Sequence, residues 1–426
     1  MTKTKKLIKK EMDENIKKGI QLYENRDFDN AIVIFEKILK DIEEKEKKLE
    51  IVKIPTYTTL GLIYQKKFKY QKALDYYLKS LELSKKNNDI MGYSNTKFQI
   101  GVIYYLTSKF KEALKIFKEY MEIREKIGDE IGVSYGLNNL AVLQSTLGEW
   151  DKAIETHKRS LEISKKFNDE FGMAQTNNNL GSVYYKKGEW DKAIDYYEKS
   201  LETFEKLGDV HGMAQTFGNL GSVYYRKGEW DKAIEYYENA LKTLEKLGDV
   251  HGMAQTYNNL GLVYADKGEW NKAIEYYEKS LEIKEKLGDV HGMAQTYGNL
   301  GLVYARKGEW DKAIGYYENA LKTFKKLGDV HGMAQTYNNL GSVYADKGEW
   351  EKAIDYYEKD LEISEKLGDV HGMAQTYGNL GSVYARKGEW DKAIEYYEKS
   401  LEIKEKLGDV HGMAQTYNNL GLVYAD

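Results

Sequence analysis

The chain has 426 residues with no cysteine, one proline and 38 glycines, and its 64 basic and 68 acidic side chains give a formal net charge of −4. This balance gives no reason to expect nucleic acid or an anionic membrane as a partner, and the absence of cysteine excludes disulfides, thiolate catalysis and cysteine-ligated metals. No apolar run approaches the ~18 residues of a membrane span and the charged N-terminus lacks a signal-peptide core, so we expect a cytoplasmic protein without cofactors.

A forty-residue period divides the chain into ten full units and a fragment. Residues 1–53 hold an N-terminal segment and a diverged first repeat, marked by Gly19, Ala31 and Phe35. Residues 54–173 form diverged repeats 2–4, residues 174–413 form near-identical repeats 5–10, and residues 414–426 form the first helix of an incomplete repeat 11. A fixed period of this length is typical of solenoid proteins.

Each unit predicts two amphipathic helices, because its apolar residues recur at steps of three and four. In one unit these are Ala254, Tyr257, Leu260, Gly261 and Tyr264, followed by Trp270, Ala273, Ile274, Tyr277 and Leu281. Gly268 and Gly288 are placed to end the two helices, Glu269 lies where the dipole of the second helix favours an acid, and Asp289 is placed to N-cap the next helix.

Packing within the unit explains the remaining pattern. Gly261 and Ala273 allow two helix backbones to approach closely, and the rings of Tyr264, Trp270 and Tyr277 fill the surrounding space. One helix pair cannot bury its apolar face alone, so neighbouring units must stack. The sequence therefore predicts an all-α solenoid.

The series Tyr257, Leu260, Gly261, Tyr264, Ala273, Tyr277 and Ser280 resembles the tetratricopeptide repeat, and its equivalents recur in nearly every unit. Each repeat is forty residues long, whereas about thirty-four are usual. This longer form resembles the repeats of kinesin light chains and of spindle-orientation adaptors that regulate G proteins. The resemblance implies a right-handed superhelix of antiparallel helix pairs. It also implies a scaffold that binds a protein or an extended peptide, not an enzyme.

In such a superhelix the first helix of each unit lines a concave groove, as the resemblance implies. An asparagine recurs on this predicted side, at Asn139, Asn179, Asn219, Asn259, Asn299, Asn339, Asn379 and Asn419, and Gln215 and Gln255 share the face. Asparagine is a poor helix former, but its amide can both donate and accept hydrogen bonds, which suits the backbone of an extended peptide. Alternatively, the asparagines bond to one another or to neighbouring backbone and only stiffen the array.

The predicted groove varies along the chain in charge and in aromatic content. Acid and base alternate at Asp266, Arg306, Asp346, Arg386 and Asp426, which favours ion pairs between units. Repeats five and six instead carry Tyr185, Lys186, Tyr225 and Arg226, a basic aromatic stretch with no obvious acidic partner. This stretch is a candidate subsite for acidic or aromatic ligand residues.

Specific recognition is expected in the diverged repeats, since identical copies offer only the same contact repeated. There Thr59 and Gln99 replace the asparagine, and Phe98, Tyr105 and Tyr135 lie on the predicted groove side.

Six histidines and seven tryptophans each recur every forty residues, as residues with a structural role in each repeat would. The histidines are His211, His251, His291, His331, His371 and His411. A zinc ion needs ligand atoms at ~2.0–2.3 Å, whereas equivalent positions on stacked helices lie roughly 10 Å apart, so we expect no metal site. The tryptophans, from Trp150 to Trp390, begin the second helices and are interpreted as packing residues.

The last residues leave Leu420, Leu422 and Tyr424 without an expected packing partner. We therefore expect either a longer protein or self-association through this helix. Three functions stay open at this point: a scaffold for a peptide or protein partner, the sensor array of a larger enzyme or signalling protein, and a structural spacer.

Overall fold

The computed structural model describes residues 3–45 and 50–425, and these form 21 α-helices. The helices follow one another as antiparallel pairs, each pair corresponding to one forty-residue unit, and α21 follows the tenth pair. No strand occurs within the described ranges. The predicted all-α solenoid of tandem helix pairs is confirmed, while Asp426 lies outside the described residues.

The helices have closely similar lengths after the first pair. The earlier ones are α1 (Lys3–Glu24), α2 (Phe28–Lys45), α3 (Glu50–Lys66), α4 (Tyr70–Lys86), α5 (Ile90–Leu106), α6 (Phe110–Lys126), α7 (Glu130–Thr146), α8 (Trp150–Lys166), α9 (Glu170–Lys186) and α10 (Trp190–Leu207). The later ones are α11 (Val210–Arg226), α12 (Trp230–Leu247), α13 (Val250–Asp266), α14 (Trp270–Leu287), α15 (Val290–Arg306), α16 (Trp310–Leu327), α17 (Val330–Asp346), α18 (Trp350–Leu367), α19 (Val370–Arg386), α20 (Trp390–Leu407) and α21 (Val410–Ala425).

Two kinds of turn separate the helices, and the sequence predicted both. Gly268, with φ 76°, lies between α13 and α14, and Gly288, with φ 67°, ends α14. Glycine adopts this left-handed conformation without a Cβ penalty. The Asp289 carboxylate then accepts a hydrogen bond from the Gly292 N–H at 2.9 Å and caps α15. The stretch from Gly288 to Met293, which lengthens the unit by six residues, therefore forms this cap and the first helical turn.

The recurrent glycine of each first helix makes room for an aromatic ring of the second. A Cβ at Gly261 would lie 2.7 Å from the ring of Tyr277, and this tyrosine is almost fully buried. The sequence predicted a close approach of two backbones here, whereas the structure shows that the ring occupies the space. The same relation recurs at Gly61 and Tyr77, Gly101 and Phe117, Gly181 and Tyr197, and Gly301 and Tyr317.

The tryptophans at the start of the second helices are less buried than the sequence suggested. Trp270 keeps 37% of its surface exposed, against 7% for Tyr264. The ring of Tyr264 stacks on that of Tyr276, with centroids 5.3 Å apart, and this stack fills the space between the paired helices. As the first residue of its helix, Trp270 lies at the end of the pair and not along its contact face.

The chain divides into two compact units, the first ending at Gly212 and the second beginning at Met213. Within the first unit α3 contacts α5 and α7 contacts α9, and within the second unit direct contacts join α13, α15, α17, α19 and α21 in succession. Each of the two compact units therefore has a surface formed by the first helices of consecutive repeats, which we call its first-helix face. In the part of the chain that the structure describes, no helix combines the length and apolarity needed to cross a membrane.

Candidate functional site

The first-helix face of the first unit contains a cavity of about 380 Å³. Its lining residues are Thr58, Asn95, Phe98, Gln99, Tyr120, Tyr135, Asn139 and Gln175. Seven of these eight come from α3, α5, α7 and α9, where they occupy the sixth, ninth or tenth place of the helix, and Tyr120 comes from α6. The lining has three aromatic rings and four side-chain amides and carries no charged group.

Contacts between rings hold the aromatic wall of this cavity. The centroid of the Phe98 ring lies 5.1 Å from that of Tyr120 and 5.9 Å from that of Phe117. Burial raises the pKa of Tyr135 to about 12, and the nearby Asp169 carboxylate adds to this. The Tyr135 phenol is therefore neutral at physiological pH and able to donate a hydrogen bond.

A buried arginine fixes the orientation of one amide at the cavity. Arg124 is 3% exposed, and its Nη1 donates to the Asp129 carboxylate at 2.6 Å. Its Nη2 donates to the side-chain oxygen of Asn95. The amide NH₂ of Asn95 consequently has no hydrogen-bond acceptor among the described residues and remains available as a donor.

The second unit has a cavity of about 460 Å³ built from the same helix positions. Gln375, Gly378 and Asn379 occupy the sixth, ninth and tenth places of α19, and Gln415 and Asn419 occupy the sixth and tenth places of α21. This lining is polar and differs from the first in carrying ionisable groups, namely His371, Lys404, Asp409 and His411. Lys404 Nζ donates to Thr416 at 2.9 Å, and burial lowers the pKa of this lysine.

The predicted asparagine series divides into two groups. Three members bond to an asparagine of the preceding first helix: Asn179 donates to Asn138 at 3.2 Å, Asn299 to Asn258 at 3.2 Å and Asn379 to Asn338 at 3.4 Å. Asn139 donates to the Tyr135 carbonyl at 3.0 Å. By contrast, the side chains of Asn259, Asn339 and Asn419 make no hydrogen bond to the described residues. The stiffening interpretation therefore accounts for at least four of the eight positions, and Asn219 also has an interaction partner. The contact with a peptide stays a prediction.

The predicted ion pairs between neighbouring repeats occur at two places in the second compact unit. Arg306 lies 3.2 Å from the Asp266 carboxylate, and Arg386 lies 3.5 Å from that of Asp346. Both pairs join the last residues of neighbouring first helices. The prediction for Asp426 lies outside the described residues.

The predicted basic aromatic stretch needs a correction at Tyr225, in the second compact unit. The Tyr225 hydroxyl donates to the Asp266 carboxylate at 2.5 Å, so this tyrosine does have an acidic partner, one repeat further along the chain. Burial and this carboxylate raise the pKa of Tyr225 to about 12. In the first unit, Lys186 donates to Ser145 at 3.3 Å, and Tyr185 is half-buried.

The predicted glutamines and histidines lie at the surface. Gln215 and Gln255 are exposed, as are all six of the recurring histidines. One of these, His291, approaches the Asp329 carboxylate at 3.4 Å. Within the described residues no group of three or more His, Asp or Glu side chains is arranged to hold a metal ion.

Several cavity residues were missed in the sequence, although departures from the repeat's own consensus mark them. Tyr120 occupies the place of Ser80 and Ser160 in neighbouring second helices, and Asn95 occupies that of Gln175. Phe98 and Tyr135, which were predicted on the groove side, line the cavity. Tyr105 is outside the cavity lining and bonds to Thr146 of the next first helix at 3.1 Å. Thr58 lines the cavity in place of Thr59.

Comparisons with known proteins support the repeat architecture. The family model of the tetratricopeptide repeat matches residues 52–126, 92–166, 172–246, 212–286, 292–366 and 372–426. No curated protein matches the chain.

Solved structures include several similar chains. BtubC (BKLC) from P. vanneervenii shares 26% identity over 51% of this chain and 92% of its own, with a TM-score of 0.47. A signal transduction ATPase with numerous domains from Pyrococcus horikoshii, described as having a tetratricopeptide repeat sensor, shares 18% identity with a TM-score of 0.66. The match covers 91% of this chain but 57% of that protein. A Rap protein complexed with competence and sporulation factor shares 16% identity over 84% of this chain and 99% of its own, with a TM-score of 0.52.

Proposed function

Because the chain belongs to the tetratricopeptide repeat family, we propose that it is a non-catalytic scaffold that binds a partner protein, through an extended segment, on its first-helix faces. The observation that carries the proposal is the origin of the two cavities. Both are lined from the sixth, ninth and tenth places of consecutive first helices. Because the same helix positions line a cavity in both compact units, the arrangement suits a ligand that extends across several repeats.

The cavity of the first unit suits an uncharged side chain of such a segment. Ligand sites typically combine apolar walls with a few polar groups that fix orientation. Here the rings of Phe98, Tyr120 and Tyr135 provide the walls, and the amides of Gln99 and Gln175 provide donors and acceptors. An amide matches the backbone N–H and C=O groups that an extended peptide leaves unpaired.

The proposal is tested with peptides selected on the whole chain from a displayed library of random 20-residue sequences. The double variant Gln99→Ala and Gln175→Ala removes two amides that line the cavity. Alanine is the best helix former, so the fold is expected to persist. We expect the affinity of the selected peptides to fall at least about tenfold, as measured by isothermal titration calorimetry.

The matched control is Gln71→Ala, which removes an exposed glutamine from a second helix, where it bonds to Asp75 at 3.2 Å. The affinity should not change in this variant. Equal affinities for wild type, the double variant and the control would contradict binding at this face.

A second function, a sensor array within a larger signalling protein, is favoured by the similarity to the Pyrococcus horikoshii ATPase with its tetratricopeptide repeat sensor. A sensor array also requires a ligand that binds the repeats. In addition, it requires an effector domain that the same gene encodes. Reading the complete coding sequence separates the two, because a scaffold needs no such domain.

A further inference from the structure

The first-helix face of the second unit alternates between two kinds of junction, with a period of eighty residues in place of forty. The ninth residue of the first helix alternates between glycine and asparagine, from Gly218 through Asn258, Gly298 and Asn338 to Gly378. The tenth residue is asparagine throughout. Each junction joins the ninth residue of one first helix to the tenth residue of the next.

Where the ninth residue is asparagine, the junction is closed. Asn299 donates to Asn258 across α13 and α15, and Asn379 donates to Asn338 across α17 and α19. The same neighbouring first helices also form ion pairs, Asp266 with Arg306 between α13 and α15, and Asp346 with Arg386 between α17 and α19. Two contacts therefore tie each of these repeat pairs together and occupy its amides.

Where the ninth residue is glycine, the junction is open. A Cβ at Gly218 or Gly298 would meet nothing within 4 Å, and one at Gly378 would meet only Ser400 at 3.6 Å. The following asparagines, Asn259, Asn339 and Asn419, are the three whose side chains have no hydrogen-bond partner among the described residues. Each open junction thus combines an empty notch with an unpaired amide.

The cavity of about 460 Å³ in this unit is such an open junction. Gly378 lies on one side of it and Asn419 on the other, with Gln375 and Gln415 beside them. The absence of a side chain lets a ligand backbone approach closely, and the asparagine amide can donate to its C=O and accept from its N–H.

We infer that the open junctions at Gly218, Gly298 and Gly378 are the sites where the second unit binds the backbone of an extended polypeptide, one site for every two repeats. This inference rests on the proposed function and specifies the spacing of its ligand. First helices that pack ~10 Å apart place successive open junctions about 20 Å apart. At ~3.3 Å per extended residue, the contacts recur about every six ligand residues.

The test uses the same displayed library of random 20-residue peptides, selected on the whole chain. The variant with Gly298→Asn and Gly378→Asn closes two junctions with the residue that the chain itself uses at Asn258. The variant Asn258→Gly opens a closed junction and serves as the matched control. Thermal unfolding followed by circular dichroism verifies that both variants fold.

We expect peptides selected on the wild type to lose at least about tenfold in affinity for the variant with closed junctions and to keep or gain affinity for Asn258→Gly. Their sequences should share preferences at a spacing of about six residues. Peptides that bind all three proteins equally would overturn the inference but not the scaffold function. Failure of the library to yield any peptide that prefers this chain to an unrelated helical protein would overturn both.

Discussion

At the scale of single residues, Gly261 and Gly315 have opposite effects on stability. At Gly261 any Cβ would meet the ring of Tyr277 at 2.7 Å, whereas at Gly315, in the middle of α16, it would meet nothing within 4 Å. The first glycine is required by packing. The second brings only the conformational cost of glycine in a helix.

The substitutions Gly261→Ala and Gly315→Ala should therefore change stability in opposite directions. Overpacking against Tyr277 is expected to destabilise by about 1–3 kcal/mol, while alanine at position 315 should stabilise by up to about 1 kcal/mol. Native-state hydrogen exchange of amides in α13 to α16 measures both effects locally. Changes in stability of the same sign for both variants would show that the contact with the Tyr277 ring is not the reason for glycine at position 261.

His157 is another residue-scale departure, because it replaces the buried aromatic residue of the other second helices. It is fully buried, and neither ring nitrogen has a hydrogen-bond partner among the described residues. Burial lowers the pKa of His157 to about 3. The residue sixteen places earlier is Ala141, where other units have glycine opposite tyrosine or phenylalanine. The smaller imidazole and the larger alanine therefore compensate each other in volume.

This histidine predicts a pH dependence of stability in the first unit. The unfolded chain binds a proton near pH 6.5 and the folded chain only near pH 3, so stability is lost as the pH falls from about 6.5 towards 3. A single group contributes up to about 1.4 kcal/mol per pH unit in this range. The double variant Ala141→Gly and His157→Tyr removes the contribution, and thermal unfolding between pH 7 and pH 4 should show a shallower loss than in the wild type.

The single variant His157→Tyr is the control for packing. It retains Ala141 and should be less stable than the double variant at pH 7. A double variant with the same acid slope as the wild type would exclude His157 as the cause.

At the scale of elements, the two kinds of turn differ in how they begin the following helix. Asp289 bonds to the Gly292 N–H and caps α15, whereas Glu269 at the start of α14 makes no such bond and pairs with Lys267 and Lys272 instead. The turn between successive repeats therefore has a capping interaction that the turn within the repeat lacks.

Removing the acidic residue before the helix should be costly at the turn between repeats, where Asp289 is a cap, and not at the turn within the repeat. Asp289→Ala is expected to destabilise by about 0.5–2 kcal/mol, and Glu269→Ala by less, since exposed ion pairs contribute little. Hydrogen exchange in the first turns of α15 and α14 measures the two effects. An equal loss in both would contradict the capping role.

These elements were predictable from the sequence, while the cavities were not. Helix periodicity, positive-φ glycines and the capping aspartate depend on residues close in sequence, so they could be predicted at Gly268, Gly288 and Asp289. The cavity of the first unit depends on Tyr120 of a second helix meeting Phe98 of a first helix. The division of the asparagine series depends on partners forty-one residues away. The Asn/Gly alternation is visible in the sequence, but its consequence required the geometry of both helices.

At the scale of the whole molecule, each of the two units has a first-helix face with a cavity of its own. The cavity in the first unit is aromatic and uncharged, and the cavity in the second is polar with ionisable groups. The difference follows from divergence in repeats 2–4 and from near-identity in repeats 5–10. One ligand segment that binds both faces would therefore present different residues to each of them.

Photo-crosslinking with a selected peptide tests most directly whether the first-helix faces bind the ligand. The photoreactive residue p-benzoylphenylalanine is introduced singly at Gln175 and Gln255 on these faces, and at Lys199 and Glu275 on second helices. All four positions are exposed. The proposed function predicts crosslinks from Gln175 or Gln255 and none from Lys199 or Glu275. Crosslinks confined to the second helices would contradict it.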